Sequence, residues 1–266
     1  MARTARSLEE RLDLHPVGDL EWVNVPDARE RHVFGGLLAG QALRAAALTV
    51  DPRWPAQSIH GTFLEAGDGR QPIRYHVAET RTGSSFATRT VSCTQHDRQL
   101  FSATASFHAP EDCPEYQLPM PDVGAPPESF PSGRYDSPWF DSRDVPVEPG
   151  SLARRAWFRA RLAMPDDPRL HAHAVTYLSD YGPTRSVRQP HADHPGVEQR
   201  MSVSLDHTVW LHRPGRVDRW TLFELVVRST GAGRGLTVGT IWSEDGTMLA
   251  SVAQEALLRL PDGFDG

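Results

Sequence analysis

The sequence predicts an α+β protein built from two similar halves. Three observations carry that prediction. Residues 58–109 and residues 204–258 follow one rhythm: an alternating strand, a polar turn, a second alternating strand, a Gly-rich break, and two strands joined by a turn. Each half opens on a strand and a helix before those runs. The strands are apolar on one side only, so each half needs a covering layer, which its helix supplies. A repeat of this length is a whole small domain rather than a solenoid unit. A site between the halves is the natural place for chemistry.

Taken in order, the first ~20 residues read as a lead-in, and DLEWVNVP (19–26) alternates as a strand. VFGGLLAGQALRAAALTV (33–50) is small and apolar on almost every side, which predicts a helix buried all round. Asp51-Pro52 and Pro55 end it. Strands are expected at 57–64, 72–81, 84–95 and 99–108. Residues 110–150 are rich in Pro, Gly, Ser, Asp and Glu and read as a crossing linker. RRAWFRARLAM (154–164) opens the second half as a strand. PDDPRLHAHAVTYLSD (165–180) reads as its helix, with Pro168 early and acidic residues at the positive end. Residues 186–201 read as a loop, followed by strands at 202–212, 219–229, 235–244 and 247–260. Glu244-Asp245-Gly246-Thr247 makes the last hairpin turn. The domain bounds expected are 1–112, a linker at 113–150, and 151–266.

Composition excludes several classes of function. All 28 basic residues are arginine, which removes Schiff-base lysines, a Walker lysine and a Ser–Lys dyad. A net charge of −6 without a basic stripe argues against nucleic acid. No run reaches the ~18 apolar residues of a membrane span. The polar start MARTARSLEERLDLHP has no secretory core, and the end LRLPDGFDG no peroxisomal address, so a cytoplasmic protein is expected. Cys93 and Cys113 are too few for a disulfide framework and read as structural thiols.

Several clusters point to chemistry only superficially. Gly231-x-Gly233-x-Gly235 lacks the spacing and following helix of a dinucleotide site, although Arg234 in that turn suits a phosphate. His171-x-His173 and His191-x-Asp193-His194 lack a HExxH frame or a cysteine partner, so no metal is expected and a solvated helix face and loop are the plainer reading. Asp206 and His207 are strand neighbours that point to opposite faces and cannot converge on one atom. No G-x-S-x-G elbow is present. MLASVAQEALLRL is apolar enough that one of Gln254 and Glu255 must face inward.

A set of motifs, in order, resembles the acyl-CoA thioesterase II family. They are His32-Val33-Phe34-Gly35-Gly36-x-x-x-Gly40-Gln41-Ala42-Leu43, Ser58-x-His60-x-x-Phe63-Leu64-x-x-Gly67-Asp68, Arg81-x-Gly83-x-Ser85-Phe86 and Thr104-Ala105-Ser106-Phe107. Asp206-His207-x-x-Trp210-x-His212-Arg213-Pro214 and Asp245-Gly246-x-x-x-Ala250-Ser251-x-x-Gln254-Glu255 follow in the second half. Two departures stand out: Leu37-Leu38 where Gln-Val is more usual, and Ser204 where Thr is more usual.

The resemblance implies a double hot-dog, two tandem domains that each wrap an antiparallel sheet around a central helix. It implies hydrolysis of acyl-CoA to free acid and CoA without a cofactor, and self-association into a homo-oligomer. Its water-activating residues fall on Asp180, Ser204 and Gln254. Gly35 and Gly36 allow close approach of the substrate carbonyl to backbone N–H groups, and Arg234 offers a contact to a CoA phosphate. Three alternatives stay open: an enoyl-CoA hydratase, a thioesterase acting on acyl carrier protein, and a non-catalytic acyl-CoA binder. Fold likeness does not choose among them.

Overall fold

Alternating burial builds the sheet. β5 (Phe86–Gln95) and β13 (Met248–Leu258) are each buried at every second residue, so one face is apolar and must be covered. The computed structural model describes residue 5, residues 7–194 and residues 202–259. Its other strands are β1 (Leu14–Gly18), β2 (Glu21–Asn24), β3 (Ala56–Phe63), β4 (Arg74–Thr82), β6 (Arg98–His108), β7 (Phe140–Val145), β8 (Ala153–Ala160), β9 (Ser202–Ser204), β10 (Asp206–Leu211), β11 (Thr221–Gly231) and β12 (Arg234–Ser243).

Twelve strands lie in the order β1-β2-β4-β5-β6-β3-β10-β13-β12-β11-β8-β7, with β9 added against β13. All pairings are antiparallel. The order is symmetric about the β3–β10 pair, where Thr208 faces His60. The two halves are therefore joined edge to edge, and the backbone groups of two edge strands satisfy each other.

α2 (Gly35–Ala47) is buried on nearly every side. Its polar Gln41 is satisfied: Nε2 donates to Arg11 O at 3.0 Å, and Tyr75 Oη donates to Oε1 at 2.5 Å. α3 (Pro168–Leu178) starts where the Asp167 side chain accepts from Arg169 N. The two helices touch at glycines. A Cβ on Gly36 would fall 2.3 Å from Tyr177 O, and one on Gly40 3.0 Å from His173 O. The close approach requires residues without side chains there. One apolar core runs through both halves.

Four expectations need correction. β7 lies inside the stretch expected to be a linker and pairs with β8 as the outermost strand of the second half. The run FDSRDV has only two apolar residues, Phe140 and Val145, which are five apart and so on opposite faces, and its Pro- and Gly-rich surroundings hide it further. The lead-in holds α1 (Leu8–Leu12), capped by Ser7, and β1. The expected loop at 186–201 is entered through α4 (Pro183–Ser186) and a short 3₁₀ turn at Gln189–His191. The strand expected at 202–212 is broken at Leu205. Residues 195–201 of that loop, and the terminal residues 1–4, 6 and 260–266 that bear on a leader or an address, lie outside the described residues. Among the described residues no helix is long and apolar enough to cross a membrane.

Candidate active site

Asp180 follows the last turn of α3 and is 8% exposed. Its carboxylate crosses to the other half and meets the first turn of α2. A Cβ on Gly35 would fall 2.7 Å from Asp180 Oδ2 and 2.9 Å from the Phe63 ring, so the carboxylate fills the space a side chain would need. Burial pushes the Asp180 pKa up to about 7; the Gln254 side chain, the Gly36 N–H and the Ser204 hydroxyl pull the other way. Oδ1 has no hydrogen-bond partner among the described residues. This is a carboxylate held near neutral pH with one oxygen unengaged.

Gln254 faces inward from β13 and is 1% exposed, whereas Glu255 faces outward. Gln254 Nε2 donates to Ser204 Oγ at 2.7 Å. Its Oε1 meets His207 Nδ1 at 2.5 Å, and His207 Nε2 meets Ser179 Oγ at 2.7 Å. Burial lowers the His207 pKa to about 4, so the ring is neutral and carries one N–H. Gln254 Oε1 can only accept, which puts that proton on Nδ1. Nε2 then shares the single Ser179 hydroxyl proton with Thr176 O, which accepts it at 2.8 Å. The neutral imidazole thus holds the Gln254 amide with its nitrogen toward Ser204 and Asp180.

Ser204 and His207 are an odd number of residues apart, and a regular strand would aim them at opposite faces. The break at Leu205 resolves this. β9 pairs Ser204 with Ala256, while β10 pairs Thr208 with Ala253, so the register slips by one residue between them. Leu205 N donates to Glu255 O, Leu205 O accepts from Phe63 N, and Asp206 Oδ1 accepts from Glu255 N at 2.8 Å. The bulge turns Ser204 and His207 to the same inner face, against Gln254.

The structure therefore brings Asp180, Ser204, Gln254, Gly35 and Gly36 together between the halves. It leaves Arg234 apart: that side chain is exposed beyond the turn at Gly231–Gly233 and pairs with Glu255 at 3.1 Å. His171 and His173 are buried on α3 rather than on a solvated face. His171 Nδ1 accepts from Val217 N, and burial pushes His173 down to about 3. Among the described residues no cluster of three metal-ligating side chains occurs. Asp206 and His207 do diverge, but the sequence reading missed the partnership of His207 with Gln254. The motif spacing carried a signal for it, since a histidine on the inner face of an apolar strand needs a polar partner.

Against this geometry, family profiles match almost the whole chain. The acyl-CoA thioesterase N-terminal domain matches residues 25–108, and the acyl-CoA thioesterase C-terminal domain matches residues 110–258. The chain belongs to the acyl-CoA thioesterase II family. It is thereby a thioester hydrolase. It is 34% identical to acyl-coenzyme A thioesterase 8 of Rattus norvegicus, over 86% of this chain and 81% of that one. The crystal structure of acyl-CoA thioesterase II TesB2 from Mycobacterium marinum superposes with a TM-score of 0.86 at 37% identity, covering 97% of this chain and 99% of that one. A hot-dog protein from Alicyclobacillus acidocaldarius superposes with a TM-score of 0.77 at 20% identity, covering 95% and 98%, a likeness of fold alone. The fold is a double hot-dog.

Proposed function

We propose that this chain hydrolyses acyl-CoA thioesters to free acid and CoA by activating a water at Asp180. The observation that carries the reading is the buried Asp180 carboxylate, raised to about 7, beside the Gln254–Ser204 pair. A base with a pKa near the working pH is substantially ionised and still takes a proton effectively. Gln254 Nε2 and Ser204 Oγ hold the water against Asp180. The water oxygen attacks the thioester carbonyl carbon while its proton passes to Asp180. The oxyanion develops beside the first turn of α2, where the positive end of the helix favours it. Collapse breaks the C–S bond, and the thiolate leaves with the proton that Asp180 gained. A free thiol has a pKa of ~8.5, so the leaving group needs little further help.

The test is release of free thiol from acyl-CoAs of increasing chain length. Catalytic turnover with one or more of them supports the reading. Binding of every acyl-CoA without thiol release overturns it in favour of a non-catalytic binder. Water addition to an enoyl-CoA without thiol release overturns it in favour of a hydratase.

A further inference from the structure

A second feature begins one residue beyond Asp180. Tyr181 lines a cavity of about 370 Å³ between the inner face of β8 and β11 and the segment around α4. Its walls near Tyr181 are apolar, formed by Ala156, Phe158, Phe223 and Leu225. Its far side is cationic: Arg134, Arg154, Arg185 and Arg188 all line it. Among the described lining residues Asp144 is the one carboxylate, and it is engaged with Arg134 at 3.4 Å, while Arg185 and Arg188 have partners of their own. Such a concentration of positive charge stands out in a chain whose net charge is −6.

Arg154 is the centre of this cluster. It lies opposite Leu225 in the β8–β11 pair and shares a face with Ala156 and Phe158, which belong to the core. Its neighbour Arg155 points to the other face and pairs with Glu224 at 2.5 Å. The Arg154 side chain makes no hydrogen bond or ion pair with any described residue. Tyr135, whose ring lies 6.1 Å from that of Tyr181, has its buried hydroxyl without a partner. The Gln189 amide reaches Ser151 O and Ala153 O through Nε2. A half-buried guanidinium and a buried phenol without acceptors are both unfavourable. An entering carboxylate or phosphate would satisfy both, since guanidinium matches either anion with paired N–H donors.

We propose that this cavity is an anion-binding subsite of the thioester substrate, with Arg154 as its principal contact and Tyr135 Oη as a second donor. The ligand chemistry is an anionic oxygen cluster on the substrate itself. Two parts of the substrate could supply it: a carboxylate at the far end of the acyl chain, or a phosphate of the CoA moiety. The inference rests on the thioesterase reading for the identity of the substrate, but not for the presence of the anion site.

The experiment compares the protein with its Arg154→Gln and Arg134→Gln variants on three thioesters of matched chain length. These are a plain acyl-CoA, an acyl-pantetheine without phosphates, and an ω-carboxyacyl-CoA. Loss of a charge-assisted hydrogen bond should raise KM about 10- to 100-fold for Arg154→Gln. A rise for both CoA esters but not for acyl-pantetheine places a phosphate in the cavity. A rise confined to the ω-carboxyacyl-CoA places the distal carboxylate there. Unchanged KM for all three thioesters in both variants overturns the subsite while leaving hydrolysis standing. Should the protein release no thiol at all, calorimetric titration with free CoA and with a linear dicarboxylate still judges the subsite. Weaker binding of either by Arg154→Gln supports it, and equal binding overturns it. Arg134 is exposed at the mouth of the cavity, so its variant tests the same charge if Arg154→Gln fails to fold.

Discussion

Replacing Asp180 by Asn should make the protein's stability less sensitive to a rise of pH from about 4 to about 7. The native carboxyl titrates near 7 rather than near its ordinary 3.8, so the folded state holds that proton more tightly than the unfolded chain does. Below the unfolded value both states are protonated and there is no penalty. Between the unfolded and the folded value only the unfolded chain gives up its proton, so stability falls as pH rises and levels off above the folded value, where the buried group is ionised. A shift of about three units corresponds to about 4 kcal/mol once the group is fully ionised. Asn keeps the shape and the acceptor for the Gly36 N–H but does not titrate. His207 and His173, depressed to about 4 and about 3, lower stability as pH falls below the usual histidine value. They do so equally in both proteins and cancel in the difference. Urea unfolding at about pH 5 and about pH 8.5 should therefore show the stability of Asp180→Asn rising relative to the natural protein by about 2–3 kcal/mol. Parallel pH dependence in the two proteins would refute the idea that Asp180 is buried as a near-neutral acid.

The same group should govern the rate. kcat for thiol release should fall tenfold per pH unit below a midpoint at about 7 and level off above it; a flat profile between about pH 5 and about pH 8 would show that Asp180 is not the base. Gln254→Ala and Ser204→Ala should each lower kcat roughly 10- to 1000-fold, with the double variant well short of the product because both hold one water; losses that multiply would argue for separate roles. Ser204→Thr should stay active, since it keeps the hydroxyl. His207→Ala should lower kcat about tenfold or more at similar KM and move the acid midpoint upward, because the Gln254 donor is no longer held toward Asp180; a midpoint that stays in place with full kcat would make His207 a packing residue only.

Much of the architecture was legible because it rests on short periodicities. The small residues of α2 announced a helix buried on all sides, and the repeat announced two halves with a site between them. The glycines there proved to answer two different demands, Gly36 for the crossing of α3 and Gly35 for the Asp180 carboxylate. β7 was hidden because six residues with only Phe140 and Val145 apolar carry no period-2 signal amid prolines and glycines. The slip at Leu205 was invisible for a deeper reason. A bulge depends on what the partner strand offers, here the backbone of Glu255 and of Phe63, and no local pattern encodes that. Without it, Ser204 and His207 would be assigned to opposite faces. The inward turn of Gln254 could be narrowed to one of two residues from apolar alternation. The unpartnered Arg154 was readable in principle, since in ARRAWFRA it shares parity with Ala156 and Phe158, but only the sheet showed that this face is the core.

The central claim is that Asp180 takes the proton from the attacking water. The most direct measurement is steady-state thiol release by Asp180→Asn on a medium-chain acyl-CoA, with the far-UV spectrum matched to that of the natural protein. Removal of a positioned base should lower kcat about 100- to 10,000-fold with the fold intact. A correctly folded Asp180→Asn protein that turns over at close to the natural rate would contradict the claim.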